Sequence, residues 1–144
     1  MPNATALKFG YPDTLIAEHG PWLVLLRPKQ PTLGALTIVN RGDERAFGEL
    51  DVGAFVTLQP VIAAAERMLR AFAHYERINH VMLMMVDPDV HFHVLPRYAE
   101  PRDFEDHVFA DAGWPGPPEL DSFVVLGESL RDAMLARLRA LWQI

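Results

Sequence analysis

The chain contains no cysteine, which removes disulfides and thiolate-metal sites from consideration. It also lacks an excess of positive charge: 13 lysines and arginines stand against 19 aspartates and glutamates, a formal charge of −6. A nucleic-acid backbone or an anionic membrane is therefore not expected as the main partner. A nucleotide-sized ligand stays open, because a small phosphate site needs only local cations or backbone donors. No uninterrupted apolar run reaches the ~18 residues typical of a spanning helix. The opening MPNATALKFGYPD has no charged n-region followed by an apolar core, so a signal peptide is not expected and a cytoplasmic protein is. Internal repeats and low-complexity segments are absent as well.

What is present fits one domain spanning residues 1–144, with 50% hydrophobic and 22% charged residues. The first dozen residues read as an arm ending in the turn-prone Tyr11-Pro12-Asp13. Apolar runs at 14–18 and 22–26 flank His19-Gly20-Pro21 and predict a β-hairpin. The loop at 27–34 carries Pro28 and Pro31, which argue against a regular ladder there, and 35–39 predicts a third strand. From Asp51, a plausible N-cap, Phe55, Leu58, Ile62, Ala65, Leu69 and Phe72 recur at helical spacing. Pro60 inside that pattern is expected to kink or divide the helix. The unalternating run 78–86 predicts a central strand buried on both faces, joined by a tight turn at Asp87-Pro88 to the strand that follows. A proline-rich loop at 113–118 and a final amphipathic helix marked by Leu130, Met134, Leu138 and Leu141 complete the chain.

The chemistry is concentrated in Asp89-Val90-His91-Phe92-His93-Val94-Leu95-Pro96-Arg97, with Pro96 read as the stop. Alternation on a strand points Asp89, His91 and His93 one way and Val90, Phe92 and Val94 the other. The apolar set can lie on the core, leaving titratable groups about 6–7 Å apart on a rigid element. The plain alternative is a pair of strand histidines facing water. Asp89, His91 and His93 also resemble a two-histidine, one-carboxylate metal set, although one flat strand presents such a set poorly.

This stretch resembles the signature of the histidine triad (HIT) superfamily, in which three histidines alternate with hydrophobic residues on a strand, often followed by Pro-Arg. The order of hairpin, third strand, long helix, strand and histidine strand is similar too, over about residues 10–100. The segment 101–144 looks like an elaboration of that core. The resemblance implies an α+β domain: an antiparallel meander of about five strands, one long helix packed on it, and an added C-terminal helix. It further implies a homodimer that binds a purine nucleotide or nucleotide conjugate. The implied reaction is cleavage at the α-phosphate of a nucleoside phosphoramidate or dinucleoside polyphosphate, without a metal or other cofactor. A catalytically weak or inactive nucleotide-binding protein is the alternative. By position, His91 corresponds to the nucleophile that becomes nucleotidylated and His93 to the third, supporting histidine.

The chemistry is self-consistent, since a histidine near its ordinary pKa of about 6.5 is largely neutral at pH 7 and can attack phosphorus. Donors are needed for the phosphoryl oxygens, and Lys29, Gln30, Arg97 and Arg27 are the candidates besides His93. Arg97 either touches phosphate or makes a surface ion pair. The chain departs from the family at three places. Asp89 occupies the first histidine's position, where a carboxylate either orients an imidazole or repels an anionic substrate by roughly 4 kcal/mol at 4 Å and an effective dielectric near 20. Arg27 stands where many members have asparagine, and either supplies the positive charge that Asp89 lacks or pairs with a surface acid. Asp87-Pro88 replaces a glycine-rich phosphate loop.

Overall fold

The computed structural model describes residues 2–144. Its elements, in chain order, are α1 (Ala4–Lys8), β1 (Leu15–His19), β2 (Trp22–Leu26), β3 (Lys29–Gln30), β4 (Leu36–Asn40), α2 (Val52–Ala73), β5 (Arg77–Val81), β6 (His91–Arg97), β7 (Arg102–Phe104), β8 (His107–Phe109), β9 (Val124–Val125) and α3 (Glu128–Leu141). The main sheet is an antiparallel five-stranded meander in the order β1-β2-β4-β6-β5. With α2 and α3 it forms the expected α+β architecture.

Strand alternation divides the apolar residues into two layers. Trp22, Val24, Leu26, Leu36, Ile38, Phe92 and Val94 form one large core with the apolar stripe of α2 and with Met134, Leu135 and Leu138 of α3. Leu23, Leu25 and Val39 point to the opposite face and meet Ala6 of α1, with Phe9, Tyr11 and Leu15 around them. His91 and His93 lie on this second face, paired across the ladder with Val39 and Thr37. Thus α2 and α3 support the sheet from behind, and the histidines face a thinner cover.

Asp51 caps α2 as expected, its Oδ1 accepting from the Ala54 amide at 2.9 Å. The helix nevertheless runs unbroken through Pro60. The carbonyl that Pro60 leaves without a donor belongs to Val56, which is exposed and open to water. By length and hydropathy α2 would cross a bilayer, but its buried stripe is the centre of the core.

Four local expectations are corrected. The opening residues are not an arm: Asn3 caps α1 by accepting from the Ala6 amide at 3.0 Å, and Thr5 and Ala6 are buried. The prolines around residues 29–30 still leave room for a two-residue ladder, Lys29 with Val125 and Gln30 with Val124. β5 is an edge strand ending at Val81, and Leu83, Met85 and Val86 are exposed in a longer connection to β6. Pro96 does not stop β6 but sits inside it, opposite Ile78. The Glu76 amide donates to the Arg97 carbonyl at 2.8 Å, so alternation turns the nitrogen of Pro96 to the other edge. There β4 has already ended at its Leu36–Val94 pair, and no ladder bond is lost.

Candidate active site

The centre of the site is His91, whose Nδ1 lies 2.7 Å from the main-chain oxygen of Asp89. A carbonyl oxygen only accepts, so Nδ1 carries a proton, and in the neutral ring Nε2 is the nitrogen that holds the lone pair. The carboxylate of Asp89 meets neither imidazole. It accepts from the Thr5 amide at 3.2 Å and from Thr5 Oγ1 at 2.9 Å, with Arg45 Nε 3.9 Å from its other oxygen. Both expected roles of that carboxylate, holding a ring or facing the substrate, therefore give way to a structural one. Of the two expectations for Arg27, pairing with a surface acid gives way, since no ion pair to it is present among the described residues. Among the described residues no three potential ligands converge as a metal-holding group, so the two-histidine, one-carboxylate set is not assembled.

His93 stands beside His91, with ring centroids 5.4 Å apart and the rings nearly perpendicular. Its Nδ1 is 3.3 Å from Thr37 Oγ1, a hydroxyl able to give or take a proton, so either tautomer is accommodated. Burial pushes the His93 pKa down to about 3, helped by the positive charge of Arg27 and by His91, with Asp87 opposing. At neutral pH the ring is therefore a neutral donor or acceptor rather than a cation.

His93 borders an open cavity of 490 Å³ whose wall includes Lys8, Arg27 and Lys29 as cations, Asp87 and Asp121 as acids, and Phe9, Val86, Leu120 and Phe123 as apolar surface. Lys8 pairs with Asp87 at 2.9 Å. Among the described residues Arg27 and Lys29 make no ion pair. Arg27 is half-buried, and this desolvation lowers its pKa; its Nε is a buried donor with no hydrogen-bond partner. Lys29 lies over Phe123, 5.0 Å from the ring centroid. A mixed apolar wall with unpaired cations suits an anionic group attached to a planar or apolar one.

Two expected ligand contacts are placed elsewhere. Gln30 is a buried strut: its Nε2 donates to the carbonyls of Arg27 and Ala35 at 2.7 and 2.9 Å, and its Oε1 accepts from the Gly34 amide at 2.8 Å. Gly34 is required there, with φ at 86° and Leu69 2.9 Å from where a Cβ would sit. Arg97 is only 4% exposed and is consumed by a bidentate pair with Asp111 at 2.7 and 3.1 Å, by Asn79 Oδ1 and by the Gly116 carbonyl. It buttresses the proline-rich loop instead of reaching phosphate. Sequence reasoning missed Lys8, Phe9 and Phe123; the one usable signal was Asn3 as an N-cap, which announces a helix where an arm was expected.

The fold is that of the histidine triad proteins. A histidine triad protein of Bradyrhizobium japonicum superposes with a TM-score of 0.78 at 18% identity, covering 99% of this chain and 98% of its own. A histidine triad (HIT) protein of Sinorhizobium meliloti 1021 gives 0.72 at 20% identity, over 97% and 95%. A hypothetical histidine triad nucleotide-binding protein of Sulfolobus tokodaii strain 7 gives 0.64 at 12% identity, over 89% and 82%. No family model matches the sequence, and no curated protein matches it.

Proposed function

We propose that this chain is a member of the histidine triad superfamily that acts at the α-phosphate of a nucleoside phosphoramidate or dinucleoside polyphosphate, with His91 as nucleophile. The observation that carries this reading is the 2.7 Å bond from His91 Nδ1 to the Asp89 carbonyl, which makes Nε2 the lone-pair nitrogen of the neutral ring, next to His93, which borders the cationic cavity. In the first step the Nε2 lone pair forms a bond to phosphorus and the bond to the leaving nitrogen or oxygen breaks. A leaving amine takes up a proton from solvent and a leaving phosphate departs as the anion, while Nδ1 keeps its proton and its hydrogen bond to the carbonyl. In the second step a water oxygen attacks phosphorus, its proton passes to solvent, and the nitrogen–phosphorus bond breaks, restoring the free ring. Arg27 and Lys29 are assigned to the phosphoryl oxygens, where unpaired cations stabilise developing charge. His93, neutral, is assigned to positioning. The nucleotide-binding description of the Sulfolobus structure supports a nucleotide ligand. A homodimer is the assembly proposed from the family resemblance alone.

A second reading, a nucleotide-binding protein without useful turnover, is favoured by the burial of His91, which is 3% exposed. Intact-mass measurement after mixing with adenosine 5′-phosphoramidate separates the two. The enzyme reading expects a nucleotidyl adduct on the wild type and none on His91→Ala. Full hydrolysis by His91→Ala overturns it, and calorimetric binding of adenosine monophosphate with neither adduct nor product establishes the second reading.

A further inference from the structure

The residues preceding β1 fold back across the histidine face and are tied down at several points. Asn3 Nδ2 donates to the carbonyls of Asn40 and Gly42 at 2.8 and 3.2 Å. Thr5 donates twice to the Asp89 carboxylate, and Lys8 pairs with Asp87. The two acids are therefore the anchor points of α1, one at each end of this short helix. What the anchors hold in place is Phe9. Its ring centroid lies 5.9 Å from that of His91 and 5.5 Å from that of His93, with the Arg27 guanidinium 6.0 Å away. His93 reaches the cavity wall together with Phe9, whereas His91 is not part of that wall.

We infer that Phe9 is a gate over His91, latched by Thr5 on Asp89, that sets which ligands reach the nucleophile. The inference rests on the proposed function for its meaning in catalysis, but the gate itself is a geometric property. Phe9 packs against both imidazoles and lines the cavity that His91 does not reach, so it is the side chain whose displacement would open a path from the cavity to Nε2 of His91. Asp89 is buried, at 4% exposure, and its two hydrogen bonds from Thr5 are the innermost tie, so their strength sets how often the ring moves. Losing the hydroxyl donor to a buried carboxylate should raise the opening equilibrium by about tenfold or more. Small phosphate esters and amides that cannot displace the ring should be excluded while it is latched, and admitted once it is truncated.

The test is acylation of histidines by diethyl pyrocarbonate, which requires an unprotonated and accessible ring, read by peptide mass spectrometry on the full chain. His107, exposed on β8, serves as internal reference. In the wild type, His91 should react far more slowly than His107. Phe9→Ala should bring the two rates together, and Thr5→Val should move His91 the same way with Phe9 intact. Circular dichroism establishes that each variant is folded; if Phe9→Ala is not, Thr5→Val and Phe9→Leu carry the comparison. Equal rates at His91 and His107 in the wild type, or no change in folded variants, overturn the gate. The adduct assay is run in parallel. Exposure of His91 in the variants with no adduct in any protein keeps the gate and removes the chemistry. Unchanged modification with normal adduct formation removes the gate and keeps the chemistry.

Discussion

His91 is held by the main chain of Asp89 while the side chain of Asp89 is held by Thr5: the ring donates to the carbonyl at 2.7 Å and the threonine hydroxyl donates to the carboxylate at 2.9 Å. The two halves of one residue thus serve different partners. The tautomer of His91 depends on a backbone position that survives side-chain substitution. Asp89→Asn is therefore expected to leave adduct formation per folded molecule no slower than in the wild type, and faster where loosening the Thr5 tie frees Phe9, while lowering stability by roughly 1–2 kcal/mol as two charge-assisted bonds become neutral ones. Urea unfolding measures the second quantity and intact-mass kinetics the first. A fall of several decades in adduct formation would return the carboxylate to the chemistry.

Arg27 combines burial, proximity to His93 and an unpartnered Nε. Arg27→Ala should weaken binding of a nucleoside monophosphate by about 10- to 100-fold, the range of a charged hydrogen bond. Binding of the corresponding nucleoside, without phosphate, should barely change. Calorimetry with both ligands reads the difference, and equal losses would place Arg27 outside the phosphate site.

The pKa of His93, held near 3, has a defined consequence for stability. The unfolded chain takes up this proton near pH 6.5 and the folded one only near 3, so the unfolded state binds more protons between them. Stability is complete above about pH 6.5 and declines as pH falls toward 3, with a slope of at most about 1.4 kcal/mol per pH unit from this residue. Chemical denaturation across that window should show the slope, and His93→Gln should remove it. In NMR titration, Arg27→Ala should raise the pKa of His93, because a neighbouring positive charge is lost.

Arg97 and Asp111 form a buried ion pair remote from the cavity that His93 lines. Arg97→Ala leaves the Asp111 carboxylate buried and uncompensated, and is expected to cost about 3–5 kcal/mol of stability. Affinity for nucleotide, measured on the folded fraction, should not change. A selective loss of affinity at full stability would restore the phosphate role.

The histidine strand was legible because two properties coincide in one stretch: apolar residues at alternate positions and a functional set between them. Phe92 and Val94 enter the core, and the histidines take the other face. The hairpin was legible for a similar reason, with the Gly-Pro break marking its turn. Composition misled at Met82–Val86, where an apolar run proved to be a partly exposed connection; hydrophobicity alone does not distinguish a buried strand from a surface loop beside a site. α1 escaped notice because its five residues span little more than one turn, too few for a periodic stripe. The cavity combines Lys8 with Phe123, residues more than a hundred positions apart, which no local pattern announces.

The paired strands β3 and β9, together with the bond from the Leu126 amide to the Pro28 carbonyl at 2.9 Å, bring Leu120, Asp121 and Phe123 to the cavity. α3 then leaves toward α2 on the opposite side of the sheet. The choice of affinity tag is consequently not neutral. A tag fused ahead of Asn3 adjoins the short helix that leads to Phe9 and the histidine face, whereas one fused after α3 lies at the back of the sheet. A preparation purified by the first route can differ in reactivity from one purified by the second, with no change in sequence between Asn3 and Leu141.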